Sequence, residues 1–258
     1  MKNGKLFKAA MASLLALSLT ACGGSNADGG SSAEGGEKAQ NIIIAISPDY
    51  PPFDDLTTDG QLTGFDVEMG EWIFTWLNEN GYNFTHEWKQ LSFDTIISAI
   101  QADQVDLGLS GFTYDPDRKV LFSDPYYGSA EVAMVNAGSA IASLDDLAGK
   151  TIGAQAGTTG EECANEIEGA KVTAMQDMGI LVETLKTGGL DALILDEPVA
   201  KNYAAGGQFT VLEGALIDEE THIIAKEGNT ELMDAINKAL AAFLESDECA
   251  ALKEKYGL

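Results

Sequence analysis

The stretch Val105-Asp-Leu-Gly-Leu-Ser-Gly-Phe-Thr-Tyr-Asp-Pro-Asp-Arg118, followed by Phe122-Ser-Asp-Pro-Tyr-Tyr127, decides how the rest of the chain is read. Val105, Leu107 and Leu109 alternate with Asp106, Gly108 and Ser110, the two-residue period of a strand, and the chain then breaks into a polar loop holding one arginine. Upstream, Phe93, Ile96, Ile97 and Ile100 share one helical face, with Ser92 as a candidate N-cap. A helix feeding a buried strand is the signature of an α/β fold. The end of the strand suits a carboxylate: Gly111 allows close backbone approach, Thr113 offers a hydroxyl, and Arg118 offers a planar bidentate fork. In isolation, a turn with a solvated arginine would read the same way.

An internal echo adds a second unit. Met178, Leu181, Val182 and Leu185 lie 85 positions after Phe93, Ile96, Ile97 and Ile100, and Leu190-Asp191 lie 85 after Val105-Asp106. The strand Leu190 to Leu195 then ends at Asp196, the counterpart of Gly111. One unit thus presents a carboxylate receptor, and its echo a carboxylate. Ligands of open parallel sheets bind beyond the carboxyl ends of the strands, so two facing units could grip the two charges of a zwitterion. Asp196 would equally serve as a helix N-cap before Glu197-Pro198.

Around these units, Asn41 to Ile46 is a short apolar run suited to a strand buried on both faces, and Ser47-Pro-Asp-Tyr-Pro-Pro-Phe53 must be a loop. Phe65, Met69, Trp72, Ile73, Trp76 and Leu77 predict an amphipathic helix over 64–77. Further strands are expected at 131–135, 151–154 and 221–225, a brief helix between Ser143 and Gly149, and helices from Leu232 and over 252–256. Gly157-Thr-Thr-Gly-Glu-Glu162 reads as a helix start whose amides favour an anionic group, or simply as an N-cap.

The N-terminus carries Lys2, Lys5 and Lys8, an apolar run from Ala9 to Leu19, and Leu19-Thr-Ala-Cys22. This is a signal peptide over 1–21 ending in a lipobox, with Cys22 as the site of lipid attachment. Residues 22–40, rich in Gly, Ser and Ala, read as a flexible tether. The formal net charge of −26 disfavours nucleic acid. Cys163 and Cys249 form an even pair outside the cytoplasm that could be a disulfide; if they lie in different lobes, a bridge would hinder relative motion, which favours thiols that are free or only incidentally paired. The chain has no Walker loop, dinucleotide fingerprint or metal-spaced Cys/His cluster, and His86 and His222 have no nucleophile beside them. No cofactor or metal is expected.

Taken together, Asp49-Tyr-Pro-Pro-Phe53, Gly64-Phe-Asp-Val-Glu-Met69, Ser110 to Arg118, Phe122 to Tyr127, Gly157-Thr-Thr159 and Asp191 to Pro198 match, in order and spacing, the family 3 solute-binding proteins, the extracytoplasmic receptors of amino acid ABC transporters. Phe74 departs from the small residue usual at its position. The resemblance covers nearly all of residues 41–258. It implies a two-lobe fold of the type II periplasmic-binding-protein kind, each lobe a mostly parallel sheet flanked by helices, joined by two hinge strands. Lobe 1 would comprise 41–130 and 222–258, and lobe 2 would comprise 131–221. The implied function is capture of a free amino acid by a monomeric, lipid-anchored receptor outside the bacterial membrane and delivery to a permease, without catalysis. By position, Arg118 with Thr113 and Thr159 would hold the α-carboxylate, Asp196 and the carbonyl of Gly111 the α-ammonium, and Tyr50 and Phe93 the side chain. Ser47, where basic-amino-acid binders often carry aspartate, and the apolar Leu195 point to a neutral polar ligand, with a basic one as the alternative. A dehydratase-like relative would need a general acid or base, for which Glu162 is the candidate. A sensor module would need a membrane-spanning segment, and no later segment approaches that length.

Overall fold

The computed structural model describes residues 38–258, so the expectations for the leader, Cys22 and most of the tether lie outside the described residues. In chain order the elements are β1 (Gln40–Ile46), β2 (Asp55–Leu56), β3 (Leu62–Thr63), α1 (Phe65–Glu79), β4 (Phe84–Gln90), α2 (Phe93–Gln101), β5 (Leu107–Thr113), β6 (Val120–Phe122) and β7 (Tyr127–Asn136). After a short 3-10 turn at Leu144–Leu147 come β8 (Thr151–Gln155), α3 (Thr159–Glu166), β9 (Lys171–Met175), α4 (Met178–Lys186), β10 (Ala192–Asp196), α5 (Glu197–Ala204), β11 (Phe209–Val211), β12 (Ile217–Lys226), α6 (Thr230–Leu244) and α7 (Asp247–Tyr256).

Two parallel sets share one topology. In the first, β1 lies between β4 and β5; in the second, β8 lies between β9 and β10. The echo is structural: α2 and α4 are both nine residues long and start 85 positions apart. Asp106 and Asp191 also do the same work, each accepting a backbone N–H from its set's central strand, Ile43 N of β1 and Thr151 N of β8, at 2.8 Å.

The two sets are not separate sheets. β12 runs antiparallel to β5 through Thr221–Ala225 and to β7 through Ile217–Thr221, while β7 pairs with β10 through Glu131–Met134. β7 and β12 therefore knit both sets into one ten-stranded, two-lobe sheet, and are longer than the expected 131–135 and 221–225 because each serves both lobes.

Packing follows the apolar patterns. Phe65, Met69, Ile73 and Leu77 of α1 are buried in the main core, which also takes the stripe of α6. Ile96 and Ile100 pack with Ala45, Phe112 and Ile224 on the other face of the first set. β5 is buried along nearly its whole length, and extends past the expected Leu109 to Thr113 because antiparallel pairing with β12 continues to that residue. Gly64 is the one residue type possible at the entry to α1: its φ is 125°, and a Cβ there would lie 2.0 Å from the Phe53 carbonyl oxygen. Cys163 and Cys249 are buried free thiols. His86 is half-buried against Phe74, and His222 is buried on β12 with Nδ1 2.8 Å from the Ser123 carbonyl.

Candidate functional site

The carboxyl ends of both parallel sets meet at a single narrow cleft. The turn after β1 supplies Ser47 and Tyr50, the start of α2 supplies Phe93, and β5 with its loop supplies Ser110, Gly111, Thr113 and Arg118. From the second set come Gln155, Thr158 and Thr159 after β8, and Asp196 at the end of β10. All eight candidates read from the sequence for the ligand line this cleft, joined by Ser110, Gln155 and Thr158.

Arg118 lies beside a stacked pair of aromatic rings. Its guanidinium lies 6.0 Å from the centroids of Phe93 and Phe112, rings that stack on each other at 4.6 Å. Nη1 donates to the Thr113 carbonyl (3.2 Å) and Nη2 to the Gly157 carbonyl across the cleft (3.1 Å). One N–H on each terminal nitrogen remains for a ligand. Burial pulls its pKa down, opposed by the charges of Glu162, Asp115, Glu219 and Glu131.

Asp196 stands at the N-cap position of α5, yet its side chain makes no capping bond. Instead Oδ2 accepts the Tyr50 hydroxyl at 2.8 Å, and the same hydroxyl accepts the Asp196 N–H at 3.1 Å. Oδ1 is buried without a partner. Burial, with the charge of Glu131, raises its pKa to about 6.

Two carboxylates from the crossing strands lie behind the lining threonines, and the sequence reading missed both. Glu131 of β7 and Glu219 of β12 are 1% and 8% exposed, and with Asp196 they place one oxygen each within 4.8 Å of the others. Thr113 donates to Glu219 Oε2 (2.7 Å), while Thr159 lies 2.9 Å from Glu131 Oε1 and 3.0 Å from Glu219 Oε2. A threonine hydroxyl has one proton, so it can serve only one of two ionised carboxylates. Burial, then the charge of Glu219, pushes Glu131 up to about 8; burial, then the charge of Asp196, does the same to Glu219. The three oxygens have the spacing of a cation site, but raised pKa values and threonine donors fit a cluster that shares protons. The missed signal was a lone glutamate opening the apolar run Glu131 to Val135; Glu219 was hidden in an acidic triplet.

A second layer braces the first. Asp66 Oδ2 accepts the Gly111 N–H (3.0 Å) and the Tyr126 hydroxyl (2.8 Å), so Gly111, at φ 61°, has only its carbonyl to offer a ligand. Ser110 donates to Asp54 Oδ2 (2.6 Å). Asp49 accepts from Ser47 Oγ (2.8 Å), from Gln155 Nε2 (2.9 Å) and from Met178 N (2.9 Å). At the start of α3 two of the amides have side-chain partners in the chain: Glu161 accepts the Gly157 N–H, and Thr158 caps Glu161 N. Glu162 lines a neighbouring acidic cleft beyond Thr113 and Thr159, away from the main pocket.

A sequence profile of the bacterial extracellular solute-binding proteins, family 3, matches residues 42–258. The arginine-binding extracellular protein ArtP of Bacillus subtilis (strain 168) is 35% identical over 254 residues, 95% of each chain. A probable histidine-binding protein of Neisseria gonorrhoeae is 30% identical over 265 residues, 98% of this chain and 96% of its own. Among solved structures, the substrate binding protein of an amino acid ABC transporter superposes with a TM-score of 0.78 at 30% identity, covering 84% of this chain and 98% of that one. These relatives are binding proteins, not enzymes.

Proposed function

The chain belongs to the bacterial extracellular solute-binding proteins of family 3, and on that premise we propose that it captures one free amino acid between its lobes and delivers it to the permease of an ABC importer. One observation carries this reading: Arg118 and Asp196, from equivalent strand ends of the two sets, line the same buried cleft. Arg118 takes the α-carboxylate with Thr113 and Thr159 beside it, and Asp196 with the Gly111 carbonyl takes the α-ammonium. Tyr50, Phe93 and Ser47 enclose the side chain. Burying a zwitterion is costly unless both charges are paired, and each charge-assisted bond contributes about 1.5–3 kcal/mol net.

Residues 41–130 with 222–258 act as one lobe and 131–221 as the other, hinged where β7 and β12 cross. Since partners come from both sides, ligand favours the closed arrangement, which the permease reads as the loaded state. Cys22 carries the lipid that tethers a monomeric receptor at the outer face of the membrane, and no helix among the described residues is long and apolar enough to span one. Ser47 and Leu195 favour a neutral polar cargo; the arginine- and histidine-binding relatives favour a cationic one. A thermal-shift screen of the common amino acids and cystine tests the function, because a ligand of the folded state must raise the melting temperature. A response to at least one amino acid is expected, and silence across the panel would remove the proposal.

A further inference from the structure

We infer that the pocket selects an amino acid whose side chain ends in a cationic hydrogen-bond donor, a guanidinium, ammonium or imidazolium, because Asp49 takes up from behind the donor protons of the wall that faces that side chain. The inference rests on the zwitterion reading above. With Arg118, Asp196, Gly111, Thr113 and Thr159 assigned to the α-groups, the lining left for the side chain is Ser47, Tyr50, Phe93, Ser110, Gln155 and Thr158, and of these Ser110 and Thr158 give their hydroxyl protons to Asp54 Oδ2 (2.6 Å) and to the Gln155 carbonyl (2.7 Å).

Ser47 has one hydroxyl proton, and gives it to Asp49 Oδ1 at 2.8 Å. Gln155 has two amide protons; one goes to Asp49 Oδ2 at 2.9 Å and the other to the Gln176 carbonyl at 3.0 Å. Asp49 Oδ2 also accepts a backbone N–H from Met178, which cannot accept in return, so the carboxylate acts as an acceptor and the amide orientation of Gln155 is fixed. Tyr50 gives its proton to Asp196. What these groups present to a ligand is therefore lone pairs: Ser47 Oγ and Gln155 Oε1. Both belong to a lining that also includes the aromatic rings of Tyr50 and Phe93, groups that attract cations.

Charge points the same way. Among the described residues Arg118 is the one cationic side chain lining the pocket, against Asp196 in the wall, Glu219 behind the threonines and Asp49 behind Ser47 and Gln155. A side chain ending in carboxylate would meet only acceptors and further negative charge. A neutral amide would satisfy the wall with its NH₂ and leave its carbonyl without a donor. Sites built this way reject the mismatched partner strongly, because a buried polar group is left unpaired.

Isothermal titration of the full chain with arginine, lysine, histidine, citrulline, glutamine, glutamate and norleucine tests this. The expected order is arginine, lysine or histidine first, citrulline weaker by about tenfold or more, and glutamate weaker by about 100-fold or more. Glutamate, norleucine or glutamine binding as tightly as the best cation would overturn the inference and leave the zwitterion reading standing, whereas no binding by any of them removes both. Asp49→Asn supplies a second readout, since its amide can turn Gln155 around to present NH₂. The ratio of arginine to glutamine affinity should fall towards one in this variant; equal weakening for every ligand would show that Asp49 merely supports the fold.

Discussion

Arg118 and Asp196 are the residues on which the account depends, and their substitution is informative because each is enclosed with little water. Arg118→Ala removes the only side-chain donor the pocket keeps for a carboxylate, and Asp196→Ala strands an ammonium beside Tyr50. Breaking a buried ion pair from one side costs about 3–5 kcal/mol, so each variant should weaken binding by about 100-fold or more in a titration while the fold persists. Arg118→Lys should not rescue, because a point charge cannot replace a planar fork held by the Thr113 and Gly157 carbonyls. Glu219 is a different kind of residue: its raised pKa means the folded chain holds a proton there that the unfolded chain releases at neutral pH. Glu219→Gln keeps the shape and supplies the neutral form permanently. It should raise the melting temperature at pH 8 relative to the parent, with a smaller difference at pH 5.

At the scale of elements, the entry to α1 sets the position of the site, because Asp66 in its first turn holds the Gly111 amide. Gly64→Ala would drive a methyl into the Phe53 carbonyl, so a denaturant midpoint should fall by an amount typical of severe backbone strain, about 3 kcal/mol or more. Most of these elements were legible in the sequence: the helical stripes of α1, α2, α4 and α6 and the apolar runs of β1 and β5 are strong periodic signals. The α2–β5 and α4–β10 echo was legible too, because both copies keep the same core positions and the same aspartate. Edge strands β4 and β9 were not, since alternating exposure and polar composition leave little apolar pattern. Glu131 and Glu219 were illegible for another reason: their partners lie on β10, α3 and β5, brought near only by the crossing of β7 and β12. The proton bookkeeping behind the wall, with Asp49 serving Ser47 and Gln155, likewise depends on a contact between distant segments.

The molecule as a whole carries an unusual set of buried carboxyls with the same sign of shift. Burial raises Asp66 to about 7 and Glu131 and Glu219 to about 8, lifts Asp196 to about 6 and holds Asp54 well above the usual range. Their ordinary values are 3.8 for aspartate and 4.5 for glutamate. Between about pH 4 and pH 8 the folded state therefore binds more protons than the unfolded state, and stability must fall as pH rises through that window. Glu68, lowered despite partial burial by its bonds to Lys255 and Tyr256, acts oppositely and only in the acid range below its ordinary value of 4.5. A melting series without ligand should show higher stability at pH 5 than at pH 8.5, and a rise in stability across that interval would contradict the assignment of protons to the cluster.

The central claim is a clamp on two opposite charges, and the most direct measurement removes the carboxylate of the ligand while keeping its ammonium and its side chain. Titration of the full chain with arginine, arginine methyl ester and agmatine compares a complete zwitterion head with one lacking the carboxylate charge and one lacking the carboxyl group altogether, while the side chain stays constant. The account predicts binding by arginine and a loss of about 100-fold or more for both analogues, because Arg118 is left without its partner. Agmatine or the ester binding as tightly as arginine would contradict it.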